Sequence, residues 1–294
     1  MNSLAEVLTN HHDKIIKYLY IGYAQWDDLV SRVERQERKP SDDFDDEQIW
    51  TFLVGCGYAI AGEDGVATLT KILTGSDYEA PTNSKIWFEV LPIPPRKGEG
   101  ETHLDLALGT IARRKGTESG IELENVAPSW ICFCEMKWYS DIAYGVSYDR
   151  HRNQLVRVIE NALCFQKMSK FARKIHVVLV TPKSFQEAPT KSRLYQYKYS
   201  EYFSDPSKIE MDLEVCQLDK NDRPDWKYPP DIQDRISKLS LGWISYEALF
   251  ENMPVSGISD ELERFVAENN KSGKWKADLP VNGLEGYQRR KEFP

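Results

Sequence analysis

Three acidic-x-Lys triplets occur in the chain: Glu37-Arg38-Lys39, Asp225-Trp226-Lys227 and Glu135-Met136-Lys137. Only the third closes an apolar run, Trp130 to Cys134, whose alternation puts Glu135 and Lys137 on one face with Ile131 and Phe133. A carboxylate and an ammonium therefore stand side by side at the polar end of a predicted strand. Upstream, Asp105 interrupts THLDLALG on the face opposite Leu104, Leu106 and Leu108. A half-buried carboxylate is costly to desolvate unless a cation meets it, and two cations are on offer: Lys137, or a divalent metal shared with Glu135. Glu89, between Phe88 and Val90, brings a third carboxylate to the same end in a register that the sequence leaves open. His103 alone among the histidines lies close in sequence, and no Ser or Cys sits in a nucleophile turn.

The elements that must position these groups follow from pattern. IWFEVLPIPP and THLDLALG, joined by the turn RKGEGE, read as a hairpin. WICFCEMKW reads as a further strand, a helix follows over 150–165, and KIHVVLVTP is a strand buried on both faces. Hairpin, strand, helix and strand make an α/β layout with a mixed central sheet. In the helix, Arg150, Gln154, Arg157 and Asn161 recur on one face, either a solvated stripe or one that follows a phosphate backbone.

These residues resemble the PD-(D/E)XK nuclease superfamily, which includes type II restriction enzymes and RecB-like nucleases. The likeness consists of Asp105 in the hairpin strand, Glu135-Met136-Lys137 in the next strand, then the helix and the buried strand, over roughly residues 86–182. Leu104 stands where the motif's proline would precede Asp105. Gln154-Leu155 resembles the Gln-Leu start of the RecB-like helix, with Val158 in place of its Tyr. The resemblance implies a restriction endonuclease-like core, a mixed central β-sheet flanked by helices (α/β/α), with helical N-terminal and α+β C-terminal additions. It implies hydrolysis of DNA phosphodiester bonds, with Asp105 and Glu135 as ligands of Mg²⁺ (or Mn²⁺) and Glu89 completing the metal's shell. Lys137 would orient or activate the water, and Arg150, Gln154 and Arg157 would contact the nucleic acid. A restriction or defence nuclease acting on double-stranded DNA is the expected function. A homodimer would supply the two active sites that cutting both strands takes. The alternative is a catalytically silent nucleic-acid-binding or protein-interaction module on the same fold.

Composition sets the frame. The 294 residues are 41% hydrophobic and 29% charged, as in ordinary globular proteins. The net charge of −8 gives no global field to draw in a polyanion. Yet from Glu135 to Ile175 eight Lys and Arg face four acids, so positive charge gathers beside the proposed site. Five scattered cysteines without a Cys-x-x-Cys pair fit reduced thiols, and Cys132 and Cys134 read as buried small hydrophobes. No apolar run reaches the roughly 20 residues that span a bilayer, and Glu6 interrupts any signal-like segment, so the expectation is a cytoplasmic protein without a membrane partner. The chain divides into 1–60, a helical segment on the core; 61–189, the core itself; and 190–294, an extension for specificity or dimerisation. Residues 4–36 read as one or two amphipathic helices. The acidic stretch Glu34 to Glu47 reads as helix-dipole chemistry, opening a buried helix from Ile49 to Ile60.

Overall fold

A computed structural model of the chain describes residues 2–41, 44–76, 78, 84–99, 102–138, 140–142, 152–187, 194–254 and 258–269. In chain order the elements begin with α1 (Leu4–Asn10), α2 (His12–Tyr18), β1 (Leu19–Ile21), α3 (Trp26–Arg38), α4 (Glu47–Ala59) and α5 (Glu63–Thr74). Strands β2 (Ile86–Val90), β3 (Leu104–Gly109), β4 (Ile111–Arg113), β5 (Ile121–Leu123) and β6 (Trp130–Met136) follow. Then come α6 (Gln154–Leu163), β7 (Gln166–Lys167), β8 (Lys170–Phe171), β9 (Lys174–Thr181), α7 (Ser184–Glu187), α8 (Leu194–Ser204) and α9 (Ser207–Glu214). The described part ends with α10 (Ile232–Ser237), β10 (Ser240–Ser245), α11 (Tyr246–Glu251) and α12 (Ser259–Asn269).

Six strands form one mixed sheet in the order β1-β2-β3-β6-β9-β10. β2, β3 and β6 pair antiparallel, while β1 with β2, β6 with β9 and β9 with β10 are parallel. The expected hairpin is present, as is the β6–α6–β9 crossover. β6 and β9 lie at the centre, buried on both faces, and their residues run as near-continuous apolar stretches for that reason. The flanking segments each lend the sheet an edge strand, β1 from residues 1–60 and β10 from residues 190–294, and one apolar core runs from Leu4 to Phe265.

Helices cover both faces. Phe88, Leu106 and Cys134 are register partners on one face, where Phe52 of α4 meets Phe88 at 5.9 Å between ring centroids. Trp87, Ala107 and Phe133 share the other face, where Phe165, just after α6, meets Phe133 at 5.1 Å. α6 begins where Asn153 caps it by accepting from the Val156 N–H, and Leu155, Val156, Val158, Ile159 and Ala162 are all buried. Cys132 and Cys134 are free and buried, their sulfurs 4.0 Å apart.

One sequence expectation changes here. The apolar spacing of residues 4–36 resolves into three helices interrupted by β1, because Leu19 and Tyr20 leave the helix to pair with Ile86 and Trp87. Tyr195, Tyr197 and Tyr199 lie on a helix, α8, with Tyr195 buried and the other two packed against the core. No helix among the described residues is long and apolar enough to cross a membrane.

Candidate functional site

The site forms where β3 and β6 end together. Leu106 pairs with Cys134, so Asp105 and Glu135, one step further, fall opposite each other on the face that α6 covers. Asp105 Oδ2 accepts the Met136 N–H at 2.7 Å, which fixes its carboxylate at the mouth of β6. Lys137 N donates to Val180 O at 2.8 Å, carrying the β6–β9 pairing one residue past the strand and holding the lysine in place.

A residue that sequence reasoning set aside completes the cluster. Asp46 caps α4 by accepting from the Ile49 N–H and pairs with Arg32, which leaves Glu47, at the first position of the helix, available to other partners. Its Oε1 accepts from Lys137 Nζ at 2.8 Å; its Oε2 accepts from the Trp138 N–H at 3.0 Å and from Ser140 Oγ at 2.7 Å. The acidic stretch Glu34 to Glu47 is therefore more than helix-dipole chemistry, since its last member reaches the site. The one sequence signal was its place at the start of a helix apolar all round, which must be buried and so brings its N-terminus against the sheet.

Lys137 Nζ lies 2.8 Å from Glu135 Oε1 as well, so one ammonium bridges Glu47 and Glu135. Glu135 is 1% exposed and Lys137 5%. Lys137 is the one close polar partner of the Glu135 carboxylate among the described residues, so a single ammonium stands in for the water shell lost on burial. Burial and then the charge of Glu135 push the Asp105 carboxyl well above its ordinary range. Burial raises Glu135 as well, against the opposing pull of Lys137. Burial alone would lower the lysine, but Glu135, Asp105 and Glu47 together drive it well above its ordinary value, so the ammonium is firmly charged. The side chains behind are dry: Trp50 and Trp138 stack at 4.0 Å, and Tyr246 meets Trp138 edge-on.

Glu89 stands apart from this group. Phe88↔Leu106 and Val90↔Leu104 bracket it in register with Asp105, but its backbone takes φ +52°, a left-handed conformation costing a non-glycine residue about 1–3 kcal/mol. Its Oε2 lies 3.5 Å from His103 Nδ1. The charges that dominate at Asp105 are Glu135, Lys137 and Glu47.

Of the expected nucleic-acid contacts, Arg150 lies outside the described residues. Gln154 opens α6 half-buried. Arg157 is 12% exposed, pairs with Glu99 at 3.2 Å and donates to Thr102 Oγ1 at 2.6 Å, and its charge also reaches Glu135. Asn161 is buried and donates to Arg157 O at 2.9 Å. Arg157 thus faces the β2–β3 connection, a long-range contact that helical periodicity does not reveal.

Among the described residues no three His, Cys, Asp or Glu side chains are grouped so as to hold a metal ion. Asp105 and Glu135 are two. That number suits Mg²⁺, which keeps several waters and takes one or two carboxylates, and it is too few for an all-protein Ca²⁺ or Zn²⁺ cage. Compared with protein families, curated proteins and solved structures, the chain matches none.

Proposed function

We propose that this chain is a metal-dependent endonuclease that hydrolyses DNA phosphodiester bonds at the Asp105, Glu135 and Lys137 cluster, on a restriction endonuclease-like core of the PD-(D/E)XK type. One observation carries the reading: three carboxylates, Glu47, Asp105 and Glu135, share a single ammonium, and the most buried of them, Glu135, has that ammonium as its one close polar partner among the described residues. The cluster has a formal excess of two negative charges, which a divalent cation would offset.

Asp105 and Glu135 would hold Mg²⁺ or Mn²⁺, which supplies charge stabilisation at the phosphate and a more acidic bound water. Lys137, kept charged by its three carboxylate neighbours, orients the attacking water and offsets charge growing on the phosphate oxygens. Glu47 keeps the lysine's four-carbon stem in one geometry, so no rearrangement is needed when the phosphate arrives. Arg157 lends a second positive field from the α6 side while anchored to Glu99.

Lys137's two close carboxylates also suit a purely structural ion pair, the feature of a silent binding module on the same fold. One assay separates the readings. Plasmid and linear DNA are incubated with Mg²⁺ or Mn²⁺, and the wild type is compared with Lys137→Ala and with Asp105→Asn, each checked for folding by circular dichroism. The nuclease cuts, and both variants lose at least about a hundredfold in rate. If the wild type cuts neither DNA nor RNA, or a folded variant cuts equally well, the reading is wrong. Sequenced product ends then distinguish a restriction enzyme, with discrete fragments, from a general nuclease.

A further inference from the structure

Beside the cluster a second group of side chains leads outward to solvent. Tyr23 is 66% exposed, and its ring meets His103 edge-to-face with centroids 4.6 Å apart at 83°. His103 Nδ1 lies 3.5 Å from Glu89 Oε2. Exposed tyrosine rings are usually mobile, but the backbone carrying this one is pinned to β2: Gly22 N donates to Phe88 O and Tyr23 N to Glu89 O, both at 2.8 Å. A Cβ at Gly22 would come within 2.2 Å of Glu89 O, so only glycine allows this approach. The left-handed turn at Glu89 places the carbonyl that receives Tyr23. Glu89 and His103, which the nuclease mechanism leaves unused, thus support an aromatic ring held in water.

Its position indicates what the ring meets. His103 is two residues from Asp105, and Glu89, whose carbonyl receives the Tyr23 N–H, is bracketed in register with Asp105, so the ring stands at the same strand ends as the cutting centre. An exposed aromatic beside the cutting centre is a stacking platform for a base. Within a continuous duplex the base faces are taken by their neighbours, so the platform is usable only where a nucleotide is unstacked. We infer that Tyr23, backed by His103 and Glu89, stacks on an unpaired base close to the cut, making the preferred substrate a duplex with a flap, an overhang or a frayed end.

This inference rests on the nuclease reading, and the test separates the two. Three kinds of oligonucleotide are compared: a continuous duplex, the same duplex with a short single-stranded flap, and that flap carrying 2-aminopurine at one of its first three positions. Binding is followed with Ca²⁺ replacing Mg²⁺, and cutting with Mg²⁺. The wild type binds the flap more tightly than the duplex and quenches 2-aminopurine fluorescence. Tyr23→Ala loses about tenfold in flap affinity and loses the quenching, with duplex binding unchanged, while Tyr23→Phe keeps both. If Tyr23→Ala binds and quenches like the wild type while cutting persists, the stacking role is overturned and the nuclease reading stands. If the wild type neither binds nor cuts any of the three, the nuclease reading fails and takes this inference with it.

Discussion

Two buried charge clusters are both reached by Arg157 of α6, and their balance differs. In the first, Arg152 joins Glu99 at 2.7 Å and also pairs with Glu160; Arg96 pairs with Glu160 at 2.7 Å and donates to Leu213 O and Leu218 O; Tyr228 donates to Glu160 at 2.8 Å. Arg157 closes it on Glu99. Three guanidiniums meet two carboxylates there, and hydrogen bonds to carbonyls spread the surplus positive charge. In the second, three carboxylates meet one ammonium, and the buried Glu135 has no close polar partner among the described residues besides Lys137. The first ties the β2–β3 connection and the segment after α9 to α6, as a structural network should. The second leaves anionic charge uncompensated at a strand end, as expected where a cation or substrate is to complete the site.

The largest expected effect strikes the balanced cluster. Arg152→Met leaves Glu99 and Glu160 buried without their principal partner, and breaking a buried pair from one side costs about 3–5 kcal/mol. Urea denaturation measures it as a lower midpoint at unchanged slope. Replacing Glu160 by Gln in the same chain should recover part of the loss, since fewer unpaired charges remain. A loss under about 1 kcal/mol for the single variant would mean that the network holds little together, and the contrast would lose one side.

The unbalanced cluster should respond in the opposite direction. Asparagine at 105 keeps an oxygen for the Met136 N–H while removing a charge that faces Glu135. Because the Asp105 carboxyl is raised in the folded protein, the folded state favours its protonated form. As pH rises past the unfolded value of about 4, the unfolded chain ionises first, and metal-free stability falls until pH passes the raised value. Asp105→Asn should flatten that fall and, near neutral pH, raise metal-free stability by up to about 1 kcal/mol, a figure kept small because Asp105 retains some exposure. Mg²⁺ should raise the wild-type melting temperature by mass action and leave the variant's unchanged. Urea midpoints between pH 5 and pH 8, with and without Mg²⁺, read both effects. A variant less stable than the wild type throughout would show that Asp105 belongs to a satisfied ion pair.

The two clusters were not equally legible in the sequence. Glu135, Lys137 and Asp105 could be found because strand alternation is a local, period-two signal and a charge that breaks an apolar run stands out. The hairpin, the central strands and the crossover helix followed from the same patterns. In the balanced cluster the pattern pointed outward, with Arg157 on a stripe either solvated or following a phosphate backbone. Glu99 and Thr102, which meet Arg157, arrive from a connection some 55 positions away, which no helical period encodes. Glu89 escaped for a different reason: its register was open in the sequence, and although the structure brackets it opposite Asp105, its backbone is left-handed and its carboxylate lies near His103. Glu47 was visible only as one acid among many at a helix start, and its role depends on a contact across 90 residues.

Glu47 also provides the finest test of the contrast, with the smallest expected change. Glu47→Gln keeps one side-chain oxygen, enough to accept from Lys137 or from the Trp138 N–H, and lowers the cluster's excess negative charge by one. Losing the ion pair and relieving repulsion among the carboxylates act in opposite directions, so stability should stay within about 0.5 kcal/mol of the wild type. Mg²⁺ affinity, read from the concentration that gives half the thermal shift, should weaken a few-fold because the field at the site is less negative. Cutting should slow mainly through kcat, as Lys137 loses the partner that fixes its ammonium. If Glu47→Gln instead destabilises as much as Arg152→Met and leaves metal affinity untouched, Glu47 and Lys137 form a structural bridge of the same kind as the arginine network, and the charge excess beside Glu135 is no mark of function.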